Sequence, residues 1–164
     1  MNNLHYTHHK QQLFQATHRM LNELHFTHFV TLAFNQDTAF TPEQKLEYAR
    51  QKLKLFHAKL DRCLLGSRWN KKPKQERTFF FAFPEKIFTN MHYHLLMTLD
   101  EKHHQKFDDN AARIWKSIVI SGTFDAKLLQ DAPYANGYKS YVIKEQHKAL
   151  NHNSFILSSE FLNM

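Results

Sequence analysis

Between positions 42 and 65 the apolar residues Leu46, Ala49, Leu53, Phe56, Leu60 and Leu64 recur at intervals of three and four. That spacing lays one buried stripe along a helix. Thr41 can cap its start, Pro42 occupies the first helical position, and Gln44 completes a capping box. Gly66 suits the stop. A weaker helical pattern, Leu13, Phe14, Thr17, Leu21 and Leu24, predicts a leading helix over 8–24. Further on, Phe107, Ala111, Ile114 and Trp115 share one side of a helix predicted over 101–116. Tyr134, Tyr138, Tyr141 and Lys144 are spaced for one face of a helix over 134–147.

Strand-like runs lie between these helices. His28–Asn35 (HFVTLAFN) is rich in β-branched and aromatic residues. Arg77–Phe83 (RTFFFAF), His92–Leu99 and Ser117–Phe124 (SIVISGTF) read as three more strands, with Gly122 as a candidate bulge. Residues 84–91 form a turn, and the tail after Asn151 carries a short apolar run, FILSSEFL, with no assigned form. After the leading helix the order is strand, helix, strand, strand, helix, strand, helix. Two βαβ-like halves of this kind predict an α+β fold: a ferredoxin- or RNA-recognition-like antiparallel sheet with helices packed on one face.

Composition supports a packed globule. The chain has 164 residues, 42% apolar residues and 15 Phe, enough for one domain over 1–164 with a core at about 28–147. No apolar run is long enough to span a membrane, and the N-terminal MNNLHYTHHK lacks a secretory h-region. A single cysteine, Cys63, excludes an internal disulfide and a Cys-based zinc cage. The expected setting is cytoplasmic. Three Gly leave no phosphate loop, so an ATPase or helicase domain is not expected.

Charge is concentrated. Residues 45–77 hold eleven Lys or Arg against three acids, whereas the whole chain carries +7. Such a zone fits a polyanion partner, and it equally fits a solvated helix face followed by a lysine-rich loop. The loop at 66–76 interleaves Arg68, Trp69, Lys71, Lys72 and Lys74, with Arg77 next to it. That mixture can stack on bases and pair with phosphates. The same residues also make an ordinary surface loop anchored by one Trp.

The candidate chemistry sits in MHYHLLMTLD. His92 and His94 are two apart on a predicted strand, so both imidazoles face one way. With 13 His in the chain, the pair alone is weak evidence for a metal. Glu85 lies seven residues upstream across a short connection and can supply a carboxylate, with Asp100 and His103 as competing donors. Two imidazoles and a carboxylate suit Mg²⁺ or Mn²⁺. Tyr141 and Lys144 are neighbours on a helix, where an ammonium favours the phenolate and hence a nucleophile.

Together these residues resemble the HUH endonucleases, in particular the rolling-circle replication initiators of plasmids, phages and small circular DNA viruses. The first motif is matched by Phe29-Val30-Thr31-Leu32-Ala33-Phe34-Asn35, the second by His92-Tyr93-His94-Leu95-Leu96 with Glu85 upstream, and the third by Tyr141-Val142-Ile143-Lys144. They stand in the family's order over residues 28–147. The resemblance implies metal-dependent nicking and joining of single-stranded DNA or an origin hairpin through a covalent 5′-phosphotyrosine. Tyr141 would be the nucleophile, Lys144 its electrostatic support, and His92, His94 and Glu85 the Mn or Mg ligands. Arg68, Trp69, Lys71, Lys72, Lys74 and Arg77 would read DNA, and a host replication helicase could act alongside. Two-tyrosine members place the tyrosines four apart; Gly137 stands there, and Tyr138 is three before Tyr141. A single nucleophile is therefore expected. Two alternatives are a single-tyrosine HUH transposase, which usually follows the tyrosine with Gln or Asn, and a non-catalytic nucleic-acid-binding module displaying Phe79–Phe83 on its sheet.

Overall fold

The computed structural model describes residues 3–35, 40–129, 136–142 and 155–162. The elements run α1 (Asn3–Glu23), β1 (His28–Ala33), α2 (Pro42–Leu65), β2 (Phe79–Glu85), β3 (His92–Thr98), α3 (His104–Ile118), β4 (Thr123–Leu128), a helical stretch α4 (136–142) and β5 (Ile156–Leu157). Among the described residues the strands form one antiparallel sheet in the order β4-β1-β3-β2-β5. The first four strands have the ferredoxin-like order, and β5 is added at the β2 edge. No helix among the described residues is long and apolar enough to cross a membrane.

Strand alternation divides the core into two layers. Val30, Leu32, Phe80, Ala82, Tyr93, Leu95 and Met97 face α2 and α3, where Leu53, Phe56, Leu60, Phe107 and Trp115 complete the larger core. Phe29, Phe81, Phe83 and Leu96 face the other way, against Leu21 of α1 and Val142 of α4. Helices therefore cover both faces, not one as the element order suggested. The leading helix and the tyrosine helix take the second face because Phe29 of β1, Phe79, Phe81 and Phe83 of β2 and Leu96 of β3 make most of that face apolar too. Burying each of these large side chains is worth about 1.5–3 kcal/mol.

Helix α2 has the expected bounds and its capping box is formed, with Thr41 Oγ1 accepting from Gln44 N and Gln44 Oε1 from Thr41 N. At its far end Gly66 sits at φ 88°, and its N–H donates to Arg62 O. The fourth strand differs from expectation. Helix α3 continues through Ile118, and the strand begins only at Thr123. The run SIVISGTF is apolar and β-branched, a pattern that a buried helix end also satisfies. Ile118 and Val119 are buried in the larger core. Gly122 makes no bulge; it allows a close approach. The Trp115 indole donates to Ala33 O at 3.2 Å, and a Cβ on Gly122 would lie 2.7 Å from that nitrogen.

A buried polar cluster ties α2 to the start of β2. Asp61 is fully buried and accepts from Arg77 Nε at 2.7 Å, Thr78 N at 3.0 Å and Thr78 Oγ1 at 2.7 Å. His57 Nε2 donates to Thr78 O at 3.0 Å, and burial pushes the His57 pKa down, so the ring is neutral. Asp61→Ala would strand the Arg77 charge and is expected to cost about 3–5 kcal/mol, measured by chemical denaturation. Tyr93 is the opposite case. Its hydroxyl is buried with no hydrogen-bond partner among the described residues. Tyr93→Phe is expected to be neutral or to stabilise by up to about 1 kcal/mol, read from the denaturation midpoint; a loss above that would reveal a hidden partner.

Candidate metal and tyrosine site

Glu85 is the last residue of β2, not a turn residue, and stands directly opposite His92 in the β2–β3 register. Its side chain therefore shares a face with His92 and, two residues on, His94. Glu85 Oε2 lies 3.1 Å from His92 Nε2 and 2.6 Å from His94 Nε2, and the two ring nitrogens are 3.1 Å apart. These are the three donors that can hold a metal ion. For an octahedral ion with bonds of about 2.1 Å, adjacent ligands are spaced by about 3.0 Å. The three atoms match one triangular face of such a site, leaving the opposite positions for other oxygens.

The remaining ring nitrogens are held from behind. His92 Nδ1 donates to Asn90 O at 3.0 Å, which turns Nε2 toward Glu85 and His94. His94 Nδ1 is 3.1 Å from the hydroxyl of Thr31, its register partner on β1. Such outer contacts fix ring orientation in metal sites. Burial and the neighbouring His92 push the His94 pKa down, against the opposing pull of Glu85. Burial alone would raise the Glu85 pKa, but the His94 hydrogen bond and the two imidazoles hold it below its ordinary value. At neutral pH the set is thus a carboxylate with a neutral His94, the form that binds metal.

Tyr141 reaches the same point from α4. Its hydroxyl lies 3.2 Å from Glu85 Oε2 and 3.4 Å from Oε1, and its ring meets the His94 ring edge-on with centroids 5.4 Å apart. The side chain remains 42% exposed, so a substrate can approach it. Lys144 and Tyr134 lie outside the described residues. Tyr138 stacks on Phe29 at 4.3 Å, and Phe29 stacks on His94 at 5.1 Å. This three-ring column braces the inner imidazole. Phe29, Thr31 and Tyr138 were not expected as site residues. For Phe29 and Thr31, residues of the first motif, the signal was the odd-position face of β1, visible only once β3 is known to lie beside it; Tyr138 comes from α4. Asp100 and His103, the competing donors, are at the other end of β3 from His92, in the turn Glu101–His103 and its cap.

The basic loop expected to read DNA lies apart from the metal donors. Arg68, Trp69, Lys71, Lys72, Lys74 and Arg77 precede β2, whose far end carries Glu85. Seven residues of strand put the loop about 20 Å from the metal donors. Arg77 is committed to Asp61 and stacks on the Trp69 ring at 4.6 Å, so both serve as anchors. Lys72 pairs with Glu76 at 3.0 Å, while Arg68 and Lys71 are exposed. Phe80–Phe83 are buried under helices and Phe79 is half-buried, so this run does not present the exposed aromatic face that the binding-module alternative expects.

No protein-family model matches the chain, and no curated protein and no solved structure matches it either. The site is therefore read from its own chemistry. Titration with Mn²⁺ in a calorimeter should give one ion per chain. His94→Ala, which removes a donor and leaves Thr31 in place, should weaken binding at least tenfold. Binding should also weaken as the pH falls into the acid range and protons compete for the donors, with His94, whose pKa is pushed down, protonated only below the ordinary histidine range.

Proposed function

We propose that this chain is a metal-dependent nicking and joining enzyme for single-stranded DNA, of the HUH type that initiates rolling-circle replication. One observation carries the reading. The Tyr141 hydroxyl sits 3.2 Å from the same Glu85 oxygen that faces both imidazole Nε2 atoms. A nucleophile and a hard-metal donor set meet at one point on one face of a sheet.

In this reading His92, His94 and Glu85 hold Mn²⁺ or Mg²⁺, which when bound polarises the scissile phosphate. Tyr141 Oη attacks phosphorus, and the bond from phosphorus to the 3′ oxygen breaks. The downstream fragment stays on the tyrosine through its 5′-phosphate, as a phosphodiester, and the upstream fragment leaves with a 3′-hydroxyl that can prime synthesis. Glu85 Oε1, the oxygen turned from the imidazoles, is within 3.4 Å of the phenol and can take its proton. Lys144, three residues on in the sequence, would support the developing charge. The phosphotyrosine conserves the energy of the broken bond, so a later 3′-hydroxyl can rejoin the strand without ATP. In this reading the partner is single-stranded DNA or an extruded origin hairpin, with a host replication helicase as a further partner.

The test is covalent capture. Wild-type protein with Mn²⁺ and a labelled single-stranded origin oligonucleotide should give a denaturation-resistant adduct, and Tyr141→Phe should give none while still binding the oligonucleotide. An equal adduct from the variant would overturn the assignment of the nucleophile.

A further inference from the structure

Beside the metal donors the sheet opens into a groove of about 490 Å³ between β4 and α4. His94, Thr31 and Tyr141 form its inner end. Its floor is aromatic, the stacked rings of Phe29 and Tyr138. Its outer wall carries two charges of opposite sign, Asp125 and Lys127. They are two apart on β4, so both side chains project from the same face, about 7 Å apart along the strand. Both are exposed. Lys127 Nζ lies over the Tyr138 ring at 5.8 Å. Asp125 has no hydrogen bond or ion pair among the described residues.

Charged residues on an edge strand are ordinary, since they discourage sheet-to-sheet pairing. Three features set this pair apart. The charges line a groove rather than open surface. The groove is bordered by Tyr138, whose ring face away from Phe29 lies beside Lys127 Nζ, so a base packing on that ring meets the ammonium. It also ends at the phenol and imidazole of the candidate reaction centre. The volume is sufficient for one nucleotide and too small for a duplex.

We propose that this groove seats the nucleotide next to the scissile phosphate, and that Asp125 and Lys127 select guanine there. This rests on the nicking reading above. In single-stranded DNA the pairing edge of a base is free to be read. Guanine presents on that edge one acceptor, O6, beside two donors, N1–H and the N2 amine. A carboxylate can accept from both donors while an ammonium donates to O6. Adenine and cytosine offer one amine and no ring N–H beside it, and thymine offers one ring N–H and no amine. The carboxylate thus favours guanine over every other base, and Lys127 supplies the complementary donor. Stacking on Tyr138 adds affinity without discriminating among bases.

The experiment begins with covalent capture from a randomised single-stranded DNA pool with Mn²⁺, followed by sequencing of the captured strands. Wild type should show guanine at one position flanking the joined phosphate. Asp125→Asn should flatten that preference by about ten- to a hundredfold, the usual range for a bidentate base contact. Inosine at that position, which lacks only the N2 amine, should weaken capture by wild type and make no further difference to Asp125→Asn. Adducts with an unchanged guanine profile in the variant would sink this proposal and leave the nicking reading intact. An absence of adducts with any sequence would instead count against the nicking reading. The groove is then judged by equilibrium anisotropy with guanine- and inosine-containing oligonucleotides. Equal affinities for the two in wild type would overturn it, and a guanine preference lost in Asp125→Asn would support it.

Discussion

The register between β2 and β3 is the constraint on which the site depends. Side chains on a strand alternate faces, so pairing Glu85 with His92 also sets His94, Phe83 and Leu96 on the same side. A slip of one residue would aim the carboxylate into the larger core and its partners at the opposite layer. That slip is disfavoured because it would bury the Glu85 carboxylate among apolar side chains. Phe80, Ala82, Tyr93, Leu95 and Met97 fill the layer under α2 and α3, while Phe81, Phe83 and Leu96 fill the other. The Asp61 cluster pins β2 at its start, and the donor triangle lies at its end.

The two faces carry different duties. Beneath α2 and α3 the packing is continuous and nearly all apolar, with Trp115 and Phe56 fully buried. On the other side the cover is partial. Helix α1 and the stretch 136–142 close over Phe29 and Phe81 but leave Tyr141 and the β4 side of the groove open to solvent. A rigid sheet backed by a dense core thus presents a polar cluster on its thinner side. Functional groups held on strands in this manner move little, and the three-ring column from Tyr138 to His94 restrains them further.

The concentration of positive charge has a more mixed meaning than its total. Arg77 serves Asp61, Arg50 pairs with Glu160 at 2.9 Å, and Lys72 pairs with Glu76. These contacts hold the loop and the C-terminal turn against α2. The exposed Arg68 and Lys71 lie at the end of the sheet away from the donor triangle. Any polyanion contact by these two is remote from the chemistry, and positive charge beside the site comes from Lys86, next to Glu85, and Lys127 on β4.

Much was legible in the residues alone. The three-and-four spacing and caps of α2, the strand character of β1 and β3, and the shared orientation of His92 and His94 follow from local geometry, because each is set by neighbours a few residues away. The ferredoxin-like alternation of elements was also readable from their order. What only the tertiary structure decided was everything that requires two distant segments to meet. Covering of both sheet faces, the end of α3 at Ile118, the burial of Arg77 against Asp61, and the convergence of Thr31, Glu85, His94 and Tyr141 all depend on strand order and register. Apolar runs such as SIVISGTF satisfy a helix end and a strand equally, and a lysine or arginine in a basic segment does not say whether a buried carboxylate awaits it. The histidine pair was a local fact; its carboxylate, its phenol and its groove were brought to it by the fold.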